Sequence, residues 1–250
     1  LRTHILHSSL KVASFNAARQ NKDLALFETS SVQSLVSRSE HLALVLVGEE
    51  QQQGLMKKIP YDFYHLKGLV DGLMALLGIE ESRYKYEKLV THMDEFHPGK
   101  SAKITFQGKI IGVFGEIHPL KKEEYGFGKT AVLGLEINLS PLLEAKVSPI
   151  KMAPISRFPS IERDLAFIVN KDVLAKDIIR TIKMIGQGLV SKAQIFDVYE
   201  GQGIGENKKS IAVRVTYRSD NHTLSDKEVI NVQDKIKFEL TKAYQAELRS

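Results

Sequence analysis

The side chains best suited to chemistry gather in the last hundred residues. Arg214 and Thr216 share one face of a strand-like segment, Arg218 ends that segment, and Lys208 and Lys209 stand at its start. Tyr199 and Tyr217 close two neighbouring segments of the same kind, and Arg157 and Arg163 come before them in the chain. Open antiparallel sheets read single-stranded RNA by stacking splayed bases on aromatic rings, beside Arg and Lys that neutralise phosphates. The expectation is therefore an RNA-binding set of Arg157, Arg163, Tyr199, Lys208, Lys209, Arg214, Tyr217 and Arg218. A solvated sheet face, or a surface packed on another subunit, would carry the same residue types.

Other chemistry is poorly represented, and no catalytic or metal-ligating residues are expected. The G-x-G-x-G run at Gly201 to Gly205 leads into a strand, whereas a phosphate-binding glycine cluster must open a helix. It reads as a hairpin turn. His92 and His97 are five residues apart with a proline after the second, so they do not share a helix face as a metal pair would. His97-Pro98-Gly99 and His118-Pro119 look like turn or helix-start chemistry. No serine occupies a G-x-S-x-G elbow. The absence of cysteine removes disulfides, thiolate zinc sites and thiol nucleophiles, and fits a reducing, cytoplasmic setting.

With 43% hydrophobic and 26% charged residues over 250 positions, the chain has the balance of an ordinary globular protein. Its longest apolar runs, such as Leu42 to Val47, are strand-sized and far short of the roughly 20 residues that cross a bilayer, so no membrane partner is expected. The net charge of +5 is uneven. Residues 151 to 250 hold 17 Lys+Arg against 13 Asp+Glu, which suits an RNA-facing surface and equally suits solvated lysines.

The elements that would hold these residues divide at Pro149, Pro154 and Pro159, a stiff stretch that continues neither helix nor central strand. Domains are expected at 1–147 and 161–250, with a linker at 148–160. In the first, a helix spans 3 to 19 and strands begin at Leu24 and Leu42. An amphipathic helix from Phe63 to Leu77 directs Leu66, Leu69, Val70, Leu73, Leu76 and Leu77 inward. A hairpin turns at Gln107-Gly108, and a last strand leads to Ser140 as N-cap before Pro141. The domain starts inside a helical pattern, which suggests a piece of a longer chain. The second domain reads strand, helix, strand, strand, helix, strand. Ser225 and Glu228 form a capping box, and the order βαββαβ is the ferredoxin-like split motif with one sheet face left open.

Three stretches of that domain, RFPSIERDLAFIV from Arg157, IFDVYEGQGIGENKKSIAVRVTYRSDNHTLSDKEV and the terminal AELR, resemble the ferredoxin-fold anticodon-binding domain that closes the phenylalanyl-tRNA synthetase β chain. Upstream, LRTHILHSSLKVASFNAARQ, ALFETSSV, FYHLKGLVDGLMALLG and HPGKSAKITFQGKIIGVFGEIHP resemble the synthetase-like domain before it. The resemblance implies an α+β chain, with an antiparallel-sheet, class II synthetase-like domain truncated at its N-terminus and a ferredoxin-like βαββαβ domain after it. It further implies an (αβ)₂ heterotetramer acting on tRNA-Phe in the cytoplasm, with phenylalanine activation, ATP and magnesium on the α subunit and no cofactor here. Consistent with lost chemistry, Phe27-Glu28 has no adjacent arginine and Ile137 follows Glu136 where a catalytic arginine is expected. Ser30 stands where the family pattern has glycine. The rival reading is a small-molecule regulatory module, in which a glycine-rich turn usually joins strand to helix; here that turn is Asn170-Lys171.

Overall fold

The computed structural model describes residues 4–33, 37–50, 58–89, 95–147, 156–186, 188–201 and 203–249. The chain separates into two compact units, Leu1–Lys151 and Met152–Ser250. Residues 148 to 155 of the expected linker, and His92 of the rejected metal pair, lie outside the described residues.

The first unit carries six strands, β1 Leu24–Gln33, β2 Arg38–Val47, β3 Tyr84–Lys88, β4 Phe96–Phe106, β5 Lys109–Ile117 and β6 Val132–Asn138. They form one antiparallel sheet in the order β1-β2-β6-β5-β4-β3. Its helices are α1 Leu6–Ala17, α2 Phe63–Leu76 and the short α3 Pro119–Glu124 and α4 Ser140–Leu143. Alternate residues of the central strands serve opposite cores. Val45, Val113, Ile117 and Val132 pack with Ile5, Leu6, Leu10 and Ala13 of the α1 segment. Leu46, Phe114, Leu133 and Leu135 pack with Leu66, Val70 and Met74 of α2. A sheet covered on both faces explains why its central strands read as nearly continuous apolar runs.

Several local signals act as expected. Gln107 and Gly108 both take positive φ, 50° and 81°, as a two-residue hairpin requires. His118 starts α3, its Nδ1 accepting from the Leu120 N–H at 3.3 Å with Pro119 in the first turn. Others need correction. Leu69 and Leu76 of α2 are 48% and 84% exposed. Only the row Leu66, Val70, Met74 is fully buried, because a helix that is apolar around most of its girth cannot turn every leucine to one sheet. Ser140 lies inside α4, not at its cap, and its hydroxyl accepts the backbone N–H of Glu40 at 3.0 Å. His97-Pro98-Gly99 lies within β4, where the register with β5 slips between Phe96 and Ser101.

The edge strand β3 was not foreseen. It is tied to α2 by Tyr84 and Tyr86, whose hydroxyls donate to Asp71 at 2.9 and 2.6 Å, while Lys67 Nζ donates to the same carboxylate at 2.7 Å. Burial opposes the charge of Asp71, but these three bonds outweigh it and hold the carboxyl below its usual range.

The second unit runs β7 Ile161–Asn170, α5 Ala175–Ile185, β8 Val190–Tyr199, β9 Lys208–Tyr217, α6 Asp226–Tyr244 and β10 Glu247–Leu248. This is the split βαβ order, and the strands pair antiparallel as β10-β7-β9-β8. Leu165, Phe167, Val169, Ile211, Val213, Val215 and Tyr217 form one sheet face and are buried with Ile178, Ile182, Val229, Ile236 and Leu240 of the two helices. The capping box opens α6, with the Glu228 N–H donating to Ser225 Oγ at 3.4 Å and the Ser225 N–H to the Glu228 carboxylate at 2.9 Å. Hydrogen bonds from the Ser225 hydroxyl and amide, with His222 beyond them, pull the Glu228 carboxyl down to about 2.

Candidate nucleic-acid interface

Pairing register fixes which side chains share the uncovered face of the second sheet. Glu162 lies opposite Thr216, Asp164 opposite Arg214, Ala166 opposite Ala212 and Ile168 opposite Ser210. From the edge strand β8 come Lys192, Gln194 and Tyr199, opposite Thr216, Arg214 and Ser210. Between Ile195 and Asp197 the register slips by one residue. This bulge frees Phe196 from the ladder, and its ring comes to lie 5.3 Å from the Arg214 guanidinium carbon.

The face is organised around two cation–aromatic pairs. Arg214 is held by a two-pronged ion pair, with Nε and a terminal nitrogen 2.8 and 2.9 Å from the two oxygens of Asp164. Those bonds push the Asp164 carboxyl below its ordinary range and raise the guanidinium further. The second pair joins the two edges of the sheet. The backbone N–H of Arg249 donates to the carbonyl of Ala166 at 3.0 Å, extending β10 by one residue. Its guanidinium carbon lies 5.7 Å from the centre of the Tyr199 ring. Their strands are three spacings apart, roughly 14 Å. The row of Arg249 runs through Ala166 and Ala212 and that of Tyr199 through Ser210 and Ile168, so the two long side chains meet on a diagonal across the face.

Not every candidate belongs to this face. Tyr217 has no exposed surface, because its odd position follows Val213 and Val215 onto the helix-covered side. It is a core residue and cannot stack a base, which corrects the expectation. Its hydroxyl finds no hydrogen-bond partner among the described residues, and burial pushes it up to about 12. Nor do the two tyrosines meet. β8 and β9 are antiparallel, so Tyr199 pairs with Ser210 and Tyr217 with Val190, seven residues or about 23 Å along the strand. Arg163 also sits on the helix side, 3.0 Å from Asp226 at the start of α6. Lys209 Nζ donates to the carbonyl of Lys171 at 2.8 Å. Lys208 is on the open face in an ion pair with Glu247, Arg218 is exposed 3.6 Å from Asp220, and Arg157 is exposed ahead of β7. Of the eight candidates, Tyr199, Lys208 and Arg214 therefore share the open face. Phe196 and Arg249 were missed, the first hidden by a bulge and the second by sequence distance.

The first unit uses its polar groups to close its own fold. Glu136, on the α1 side of β6, accepts the N–H groups of Ile5 and Leu6 at 3.2 and 3.0 Å, and His41 Nδ1 lies 2.9 Å from its other oxygen. α1 has no side-chain cap of its own, so Glu136 supplies the anionic partner that its N-terminus needs. Glu28 accepts from Ser9 of the same helix at 3.4 Å. Arg19 stacks on Phe15, Arg38 binds Ser31, and Arg83 donates to the Lys146 carbonyl at 2.8 Å. A triphosphate needs arginines converging on an accessible sheet face, so these described side chains do not fit an ATP–magnesium site. Among the described residues no group of three or more His, Cys, Asp or Glu could hold a metal ion.

These features define the class: an α+β protein in which one sheet is closed on both sides and a ferredoxin-like sheet keeps an aromatic and cationic face. Comparison with known proteins gives the family. Residues 1–139 match the family described as phenylalanyl tRNA synthetase beta chain CLM domain, and residues 156–249 match the ferredoxin-fold anticodon binding domain. The phenylalanine–tRNA ligase beta subunit of Listeria innocua is 37% identical over 100% of this chain and 31% of its own length. That of Geobacillus kaustophilus is 36% identical over 100% and 31%, and that of Staphylococcus aureus 36% identical over 96% and 30%. The chain therefore belongs to the phenylalanine–tRNA ligase β-subunit family, and it spans about a third of the length of these relatives.

Proposed function

We propose that this chain serves a cytoplasmic phenylalanine–tRNA ligase, an (αβ)₂ assembly, as a non-catalytic part of its β subunit. The second unit contacts the anticodon region of tRNA-Phe, and the first unit meets the α subunit, where ATP, magnesium and phenylalanine are handled. The proposed parts are an assembly domain at 1–147, a proline-spaced linker at 148–160 and an anticodon-binding domain at 161–250. No helix of the described residues is long and apolar enough to cross a membrane.

The observation that carries the RNA reading is the uncovered sheet face with Tyr199 and Phe196 beside Arg249 and Arg214. Flat rings supply stacking platforms and the guanidiniums supply charge, the combination that open sheets use for unpaired nucleotides. The assembly reading is supported by large apolar side chains left exposed on the first unit, among them Phe27 at 74%, Leu120 at 69% and Leu76 at 84%.

Titration with an RNA hairpin bearing the phenylalanine anticodon loop, at several salt concentrations, tests the RNA half. With about three cations on phosphates, log K should fall with log salt at a slope on the order of −2. Absence of binding at low salt would remove this reading. For the assembly half, purified α subunit should be captured by the chain, and a chain that ignores it would argue otherwise.

A further inference from the structure

The glycine run that ends β8 contains two kinds of glycine. Gly203 and Gly205 take positive φ, 90° and 91°, the turn conformation that glycine allows. Gly201 has no such φ, so its backbone would accept an L side chain without strain. What it lacks is room. An ideal Cβ on Gly201 would lie 2.6 Å from the Tyr199 hydroxyl oxygen, 2.8 Å from Cζ and 3.4 Å from Cε1. Those three atoms are its nearest neighbours, and all belong to the outer end of one ring.

We propose that Gly201 is a positioning residue: it keeps the space into which the Tyr199 ring leans, and so holds the ring where Arg249 covers it and a base could stack. This rests on the RNA reading of the open face. A methyl group at position 201 meets the far end of a movable side chain, so the ring must swing away while the backbone stays. The substitution would therefore act on recognition and leave folding alone. Aromatic platforms gain from being held in place before binding, because an ordered ring loses less rotamer freedom when a base lands on it.

Two measurements on the full chain test this. In NMR spectra, the α protons of Gly201 should show contacts to the Tyr199 ring and ring-current shifts that vanish in Tyr199→Ala, and Gly201→Ala should move the Arg249 side-chain signals. Absence of the contact overturns the proposal whether or not RNA binds. In titrations with the anticodon-loop hairpin, Gly201→Ala should weaken binding on the order of fivefold, a fraction of the loss expected for removing a stacked ring. The double variant Gly201→Ala, Tyr199→Ala should bind no worse than Tyr199→Ala alone, and the thermal unfolding of Gly201→Ala should match the parent chain. Additive losses, or unchanged binding in Gly201→Ala while Tyr199→Ala loses affinity, would overturn the proposal. If the parent chain ignores the hairpin, the RNA reading fails and the NMR contact alone decides on Gly201.

Discussion

The two sheets of this chain differ most in what lies on them. In the first unit, α1 and α2 bury opposite faces, and two carboxylates of the sheet, Glu136 of β6 and Glu28 of β1, bond to α1 itself. In the second unit both helices lie on one face, and the other keeps two cation–aromatic pairs, Arg214 with Phe196 and Arg249 with Tyr199, open to solvent. An antiparallel sheet can thus close around its own helices or keep a face for a partner. Which it does follows from whether alternate residues along its strands are apolar on one side or both.

If coverage sets role, substitutions on covered positions should cost stability and substitutions on the open face should cost binding. The largest effect is expected at Tyr217, where Tyr217→Ala empties a fully buried site and should destabilise the second unit by about 3 to 5 kcal/mol in urea titration. Glu136→Ala should follow, removing the anionic cap of α1 at a cost of about 2 to 3 kcal/mol to the first unit, with hairpin binding intact. Tyr199→Ala should leave stability within about 0.5 kcal/mol of the parent but weaken hairpin binding by roughly 1 to 3 kcal/mol, at unchanged salt slope. A Tyr199 variant that unfolds without losing affinity would erase the distinction between the sheets.

Smaller effects sharpen it. Tyr217→Phe removes a buried hydroxyl with no partner among the described residues, so stability should stay level or rise by about 1 kcal/mol, with RNA binding unchanged. The pH behaviour has a definite sign. The Tyr217 hydroxyl is raised to about 12, so the stability that its neutral form contributes is complete below about pH 10 and declines from there to 12. Alkaline titration followed by circular dichroism should show the second unit weakening over that window, and Tyr217→Phe should remove the dependence.

Much of this architecture was legible because its signals are local. The Gln107-Gly108 turn, the Ser225 and Glu228 capping box and the alternation of Ile211, Val213 and Val215 each act within a few residues. The same alternation continues to Tyr217 and places it in the core; reading that residue as the end of a strand obscured its parity. Phe196 was hidden because a bulge breaks the period by which strand faces are counted. Arg249 was hidden because only the folded sheet brings the end of the chain across β7 and β9 to Tyr199. Interactions spanning distant segments leave no period in the sequence, which is also why β3 and its Asp71 anchor went unseen.

Amide and side-chain NMR shifts of the full chain, followed as the anticodon-loop hairpin is added, test the central claim most directly. The account predicts that the largest changes fall on Lys192, Gln194, Phe196, Tyr199, Arg214 and Arg249, on the uncovered face, while α5, α6 and the first unit move little. Perturbations centred on the helices of the second unit, or on the first unit, would contradict it.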